Sequence, residues 1–186
     1  MSHSVNLLGM LEDLLLLEHV AFGSNQFCQS NGFTSFEETG YMQPMSPRTL
    51  MKGLVCEKLI AVAVKGRILL DLVNNNDKAA LKRIERQAVI GLNIAYDTVG
   101  SKKLSIRDSF NKIIHALQVS MSYAETEEGL GNTHFWDGQV HLVGKHDRKE
   151  WSYQLVVAEW TKAVRRMITQ FIQEDHLFML GWDGGL

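Results

Sequence analysis

The chain has 186 residues, 45% of them apolar and 22% charged, a mixture that fills one sizeable core and excludes general disorder. Lys and Arg total 19 against 21 Asp and Glu, a formal net charge of -2, which excludes a uniformly cationic surface and leaves room for local basic patches. Cys28 and Cys56 form no C-x-x-C pair and match no zinc spacing, so no disulfide or metal staple is expected and both thiols read as reduced, in a cytoplasmic protein.

From Val5 to Val20, Leu7, Leu8, Leu11, Leu14, Leu15 and Leu17 recur at three- and four-residue spacings, which predicts a core helix with Ser4 as its cap. Glu12, Asp13 and Glu18 bracket the leucine run and no basic residue precedes it, so it is not read as a signal peptide. No stretch approaches the ~20 apolar residues of a membrane-crossing helix. Gly23 to Ser46 mixes Gly, Ser, Asn and Thr with Phe27, Phe33, Phe36 and Tyr41, and reads as a long loop pinned by aromatics.

Ser46-Pro47 combines a cap with proline at the first helical position, and Met51, Val55, Leu59, Val62, Leu69 and Val73 follow at helical spacing. A helix of roughly 42 Å is expected, with Gly66 as a candidate bend. Asn74 to Asp77 ends it and caps a third helix, expected from about Asp77 to Asp97, with Leu81, Ile84, Ala88, Leu92 and Ala95 inward. Gly100 to Lys103 reads as a break. Ser105-Ile106-Arg107-Asp108 has the capping-box pattern and starts a fourth helix.

Further on the period changes to two. Val140 and Leu142 alternate with His141, then Trp151, Tyr153, Leu155 and Val157 alternate with Ser152 and Gln154. Strands are therefore expected only around 139–144 and 150–157, joined by Gly144 to Lys149 in a hairpin. A last helix follows from about Ala158, burying Trp160, Val164, Met167, Ile168 and Phe171. The expected fold is mainly α, a helical bundle with a C-terminal β-hairpin followed by a helix. It forms one domain over 1–186, with a helical core to about 120 and the hairpin and last helix at about 136–176.

The fourth helix carries the sequence's sharpest chemical feature. At about 100 degrees per residue, Arg107, Asn111, His115 and Gln118 share an arc opposite Ile106, Phe110, Ile113, Ile114 and Leu117. A histidine that gives and takes protons near neutral pH, an arginine that forks onto phosphate and an asparagine that orients either suit phosphodiester chemistry. The alternative is a solvated helix face, or a histidine bonded to a backbone carbonyl.

Asn-Lys-Ile-Ile-His-Ala, residues 111–116, late in a helical core, resembles the HEPN superfamily of nucleotide-binding and RNA-cleaving helical domains, over about residues 46–120. The resemblance implies a metal-independent ribonuclease or an RNA- or nucleotide-binding relative that needs no cofactor. In it His115 would act as general acid or base, Arg107 on phosphate and Asn111 orienting the histidine, in a homodimer that brings two motifs together. Members carry four to six residues between Arg and His. Here seven separate Arg107 from His115, and Asp108 holds the position that the longest spacing would give to arginine, which also admits a non-catalytic relative.

The hairpin turn adds Lys145, His146, Arg148 and Lys149 beside Trp151, a candidate nucleic-acid contact or an ordinary solvated turn. His134, His141 and His146, with Asp137, Asp147 and Glu150, lack the spacing of a metal site, and none is expected. P-loop, dinucleotide-fold and serine-hydrolase signatures do not occur. The apolar stretch Phe178 to Trp182 reads as packing across a groove of its own chain or a partner's. A second reading is therefore a protein-interaction module, such as a regulatory or antitoxin-like subunit. Electrostatics around His115 separates the two: convergence of Lys102, Lys103 or the hairpin cluster favours RNA, whereas acids and apolar groups favour a protein.

Overall fold

A computed structural model describes residues 5–30, 47–98, 103–126, 133–174 and 176. The element order is α1 (Leu7–Ser30), α2 (Pro47–Asn76), α3 (Lys78–Ala88), β1 (Ala95–Asp97), α4 (Ile106–Ile114), β2 (Gln118–Thr126), β3 (Thr133–His146), β4 (Lys149–Val156) and α5 (Val157–Gln173). The protein is mainly helical, with a sheet toward the C-terminal part of the sequence and a final helix after it.

Helix α1 begins at Asn6, whose side-chain Oδ1 accepts from the Gly9 N–H at 2.9 Å, so Asn6 provides the cap expected of Ser4, which lies outside the described residues. The helix runs on to Ser30, ten residues past the expected end at Val20. The buried spacing Leu14, Leu17, Ser24, Cys28 carries it through the segment read as loop. Residues 31–46, the rest of that segment, lie outside the described residues.

Helix α2 is 30 residues long, about 45 Å at 1.5 Å per residue. Gly66 is a point of close approach between helices. The outer end of the Phe110 ring of α4 packs against it, so that an added Cβ would lie 2.5 Å from Cζ. Asp77 caps α3 as expected, accepting from Ala79 N–H and Ala80 N–H at 3.0 and 2.8 Å. That helix stops at Ala88 and not at Asp97, because Gly91 takes φ +72 in the turn that follows. Ile94 and Ala95 then bury themselves in extended chain.

The expected hairpin is present as β3 and β4, closed by Asp147 and Arg148 at φ 48 and 66 in a two-residue turn. The expectation that strands are confined to it is corrected. The sheet has four strands in the order β1-β4-β3-β2, all antiparallel. Val119, Met121 and Tyr123 alternate with Ser120 and Ser122 along β2, and β1 is a three-residue edge. At Ser122 three residues of β3, Asp137 to Gln139, stand opposite one, and Gly138 takes φ +81 to make the bulge.

Helices cover one face of the sheet. Trp136, Val140, Leu142, Tyr153 and Leu155 point into the core with Met10, Leu14 and Leu17 of α1 and Trp160, Val164, Met167 and Phe171 of α5. Ser24 ties α1 to the sheet, its Oγ accepting from the Trp136 N–H at 3.0 Å. The opposite face is polar, with Ser120, His141, Gln154 and Tyr96 in one cross-strand row.

Candidate functional site

Ser105 caps α4, its Oγ accepting from the Asp108 N–H at 3.0 Å. Ile106, Phe110 and Ile113 bury one side of the helix, and Ser109 Oγ accepts from Trp160 Nε1 at 2.9 Å. This seating turns Arg107 and Asn111 toward α2. Arg107 Nη1 donates to Asp71 Oδ1 at 2.9 Å, and Arg107 Nε faces Glu85 Oε1 at 3.5 Å. Arg67 Nε donates to Asp71 Oδ2 at 3.0 Å and Arg67 Nη1 to Asn111 Oδ1 at 2.8 Å.

Two arginines, two acids and an amide thus close a network among α2, α3 and α4. Desolvation is the largest influence on Asp71 and pushes its carboxyl up. The hydrogen bonds from Arg67 and Arg107 together outweigh it, so Asp71 ends below the usual range. Glu85 goes the other way: burial pushes its carboxyl up, and Arg107 offsets this in part.

His115 is separated from this network. It caps the C-terminal end of α4, its backbone N–H donating to Asn111 O at 3.0 Å, and its side chain is exposed. Gln118, expected on the same helical stripe, belongs to β2. The structure therefore brings Arg107 and Asn111 together through Arg67 and Asp71, and does not bring His115 to them. The i, i+4 pair Arg67 and Asp71 is legible on a helix; that it would receive α4 is not.

The basic turn lies at the same end as His115. Leu117 N–H donates to Val143 O at 2.8 Å, and Lys112 Nζ sits 4.1 Å from the Trp151 ring centroid. Lys145, Arg148 and Lys149 are exposed at the hairpin tip, with Glu150 3.3 Å from Lys145 Nζ. Lys103 pairs with Tyr96 at the opposite edge of the sheet, and Lys102 lies outside the described residues.

Each of the three histidines has an individual polar partner. His134 pairs with Glu125 at 2.9 Å, His141 Nε2 shares a 2.5 Å hydrogen bond with Ser152 Oγ, and His146 is 3.3 Å from Asp147. Among the described residues no three His, Cys, Asp or Glu side chains gather. Cys28 and Cys56 are free thiols, both raised by burial above the ordinary thiol range.

A surface that the sequence reading did not single out is the outer side of α1 and α2. Nine of the twelve exposed large apolar residues among the described residues lie on these two helices, including Leu8, Leu15, Phe22, Ile60, Val64 and Ile68. Between them runs a groove of about 660 Å³ lined by His19, Val20, Gly23, Ser24, Phe27, Leu50, Met51 and Leu54. The signal was available in the leucine density of α1, but spacing alone assigned those residues to the core.

Among the described residues no helix is long and apolar enough to cross a membrane. Comparison with protein-family models finds no match, and comparison with curated proteins and with solved structures finds no significant one.

Proposed function

We propose that this domain is a protein-interaction module of the cytoplasm whose docking surface is the outer side of α1 and α2. The concentration of exposed apolar side chains there carries the reading, since large exposed apolar patches mark interaction surfaces. Nothing comparable covers α3, whose outer side presents Lys82, Arg83 and Arg86. A photo-crosslinking residue placed at Ile60 or Val64 is expected to trap a protein adduct in cells, while the same residue at Lys82 or Arg86 traps none. Equal yields from both helices would defeat the reading.

A second reading is an RNA- or nucleotide-binding domain like the HEPN superfamily, with or without RNA cleavage. It is favoured by the exposed His115 lying at the same end of the fold as Lys112, Trp151 and the Lys145, Arg148, Lys149 tip. On this reading short single-stranded RNA binds with a salt-dependent affinity. Lys145→Ala, Arg148→Ala and Lys149→Ala combined should weaken binding and flatten the salt dependence. His115→Ala should abolish cleavage measured in the presence of a chelator. Undiminished RNA binding by the triple variant would remove the basis for this second reading.

A further inference from the structure

Helix α2 buries Val55, Leu59, Val62, Gly66, Leu69 and Val73 on one side. Its other side bears Gly53, Glu57, Ile60, Val64, Arg67 and Asp71 at alternating spacings of four and three, a seam with apolar Ile60 and Val64 at its centre and charged residues toward its ends. Ile60 and Val64 at the middle of this seam are 48% and 41% exposed.

We infer that the seam is covered by a second copy of this chain, its α2 antiparallel to the first about a two-fold axis level with Val62. The inference rests on the interaction-module reading and names its partner. The charge order along the seam selects both the partner and the direction. Glu57 and Arg67 each stand five residues from Val62, and Ile60 and Val64 each stand two. An antiparallel pair therefore sets Ile60 against Val64 of the second copy, and Glu57 against Arg67 of the second copy, with every contact made twice. Symmetric interfaces require this kind of self-complementarity. Parallel pairing in register would instead place Glu57 on Glu57 and Arg67 on Arg67, a like-charge arrangement that opposes association.

Both charges stand at the seam beside partners of their own chain. The Glu57 side chain is 70% exposed, with Lys58 Nζ 3.3 Å away. Arg67 is fixed at the rim of the seam by its bonds to Asp71 and Asn111. Helix α4 runs antiparallel to α2, with Arg107 on Asp71 and Asn111 on Arg67. One more turn puts His115 level with Ala63, so this pairing also sets the exposed histidines of both copies at the level of the axis.

The test uses two full-length variants on a Cys56→Ser background, one with Ile60→Cys and the other with Val64→Cys. Mixed and exposed to oxidised glutathione, they should form a covalent dimer, while each alone should not, because only the mixture places a thiol opposite a thiol within disulfide reach. Wild-type protein should sediment as a dimer at micromolar concentration. Val64→Asp should remain folded by circular dichroism, since position 64 is exposed in the single chain, and should weaken the dimer by at least about tenfold. Self-linking of Val64→Cys alone would overturn the antiparallel arrangement. A monomeric wild type whose crosslinks at Ile60 have the mass of another protein would overturn the second copy while sparing the interaction module. A monomeric wild type with no adduct would overturn both.

Discussion

Arg107 and His115 sit two turns apart on one helix and have opposite environments, so they should respond oppositely to truncation. Removing the Arg107 guanidinium takes a charged partner from Asp71 and from the half-buried Glu85. Arg107→Ala is expected to cost about 1 to 3 kcal/mol of stability, the usual penalty of stranding a polar group. Exposed His115 strands nothing, and His115→Ala should change stability by less than about 0.5 kcal/mol. Urea melts of the two variants check both figures; a large loss at His115 would place its ring in a contact that the exposed C-cap does not provide.

Glu85 adds a pH signature. Its folded carboxyl titrates above the unfolded one because burial disfavours the charge. Its contribution to stability is therefore fully present below the unfolded carboxyl's pKa and is lost as pH rises through the folded one. Asp71, lowered by Arg67 and Arg107, contributes in the opposite sense: its share is present above the unfolded pKa and lost as pH falls through the folded one. Glu85→Gln should thus gain on the wild type as pH rises from 4 toward 7. Parallel stability curves for the two proteins would mean that Glu85 is better solvated than its position between α3 and α4 implies.

Contacts between elements depend on absences as much as on side chains. Gly66 is the point where α4 meets α2, and the Phe110 ring pressed on it makes an edge-to-face contact with Trp160, with centroids 5.9 Å apart. Alanine is the better helix former by about 1 kcal/mol, yet Gly66→Ala puts a methyl where the ring lies. The expected net result is a loss of about 1 to 3 kcal/mol from overpacking. Thermal melts showing a stabilised Gly66→Ala protein would mean that Phe110 moves without cost. Gly144 plays the same part in the sheet, with the Trp151 indole laid across it from the neighbouring strand.

Over the whole molecule, the N-terminal helix and the late sheet form one core, joined across 112 residues by the Ser24 hydroxyl and the Trp136 N–H. Both groups are buried. Ser24→Ala leaves that N–H without a partner, and an expected loss of about 1 to 3 kcal/mol should be accompanied by faster amide exchange at Trp136 than at Leu142. Unchanged exchange at Trp136 would mean that water replaces the hydroxyl. A fold closed by such distant contacts also explains why the outer sides of α1 and α2 stay uncovered by α3, α4 and α5: the sheet and α5 occupy the inner side of α1, and α4 occupies the flank of α2.

The sequence by itself determined what is local. Asp77 and Ser105 were legible as caps, the alternation at 140–142 and 151–157 as a hairpin, and the mainly helical class as the sum of three- and four-residue spacings, because a cap or a period is satisfied within a few residues of chain. It also carried signals that local reading passed over, such as Gly91 ending α3 and the alternation of Val119, Met121 and Tyr123 in β2. Tertiary structure alone decided the rest. β1 is three residues held by β4, α1 continues past Gly23 because Ser24 and Cys28 meet a buried surface, and Arg107 leaves the helix stripe for Asp71 and Glu85 on two other helices. These outcomes depend on partners far away in sequence, whose free energy of contact outweighs local preference and leaves no mark on local spacing.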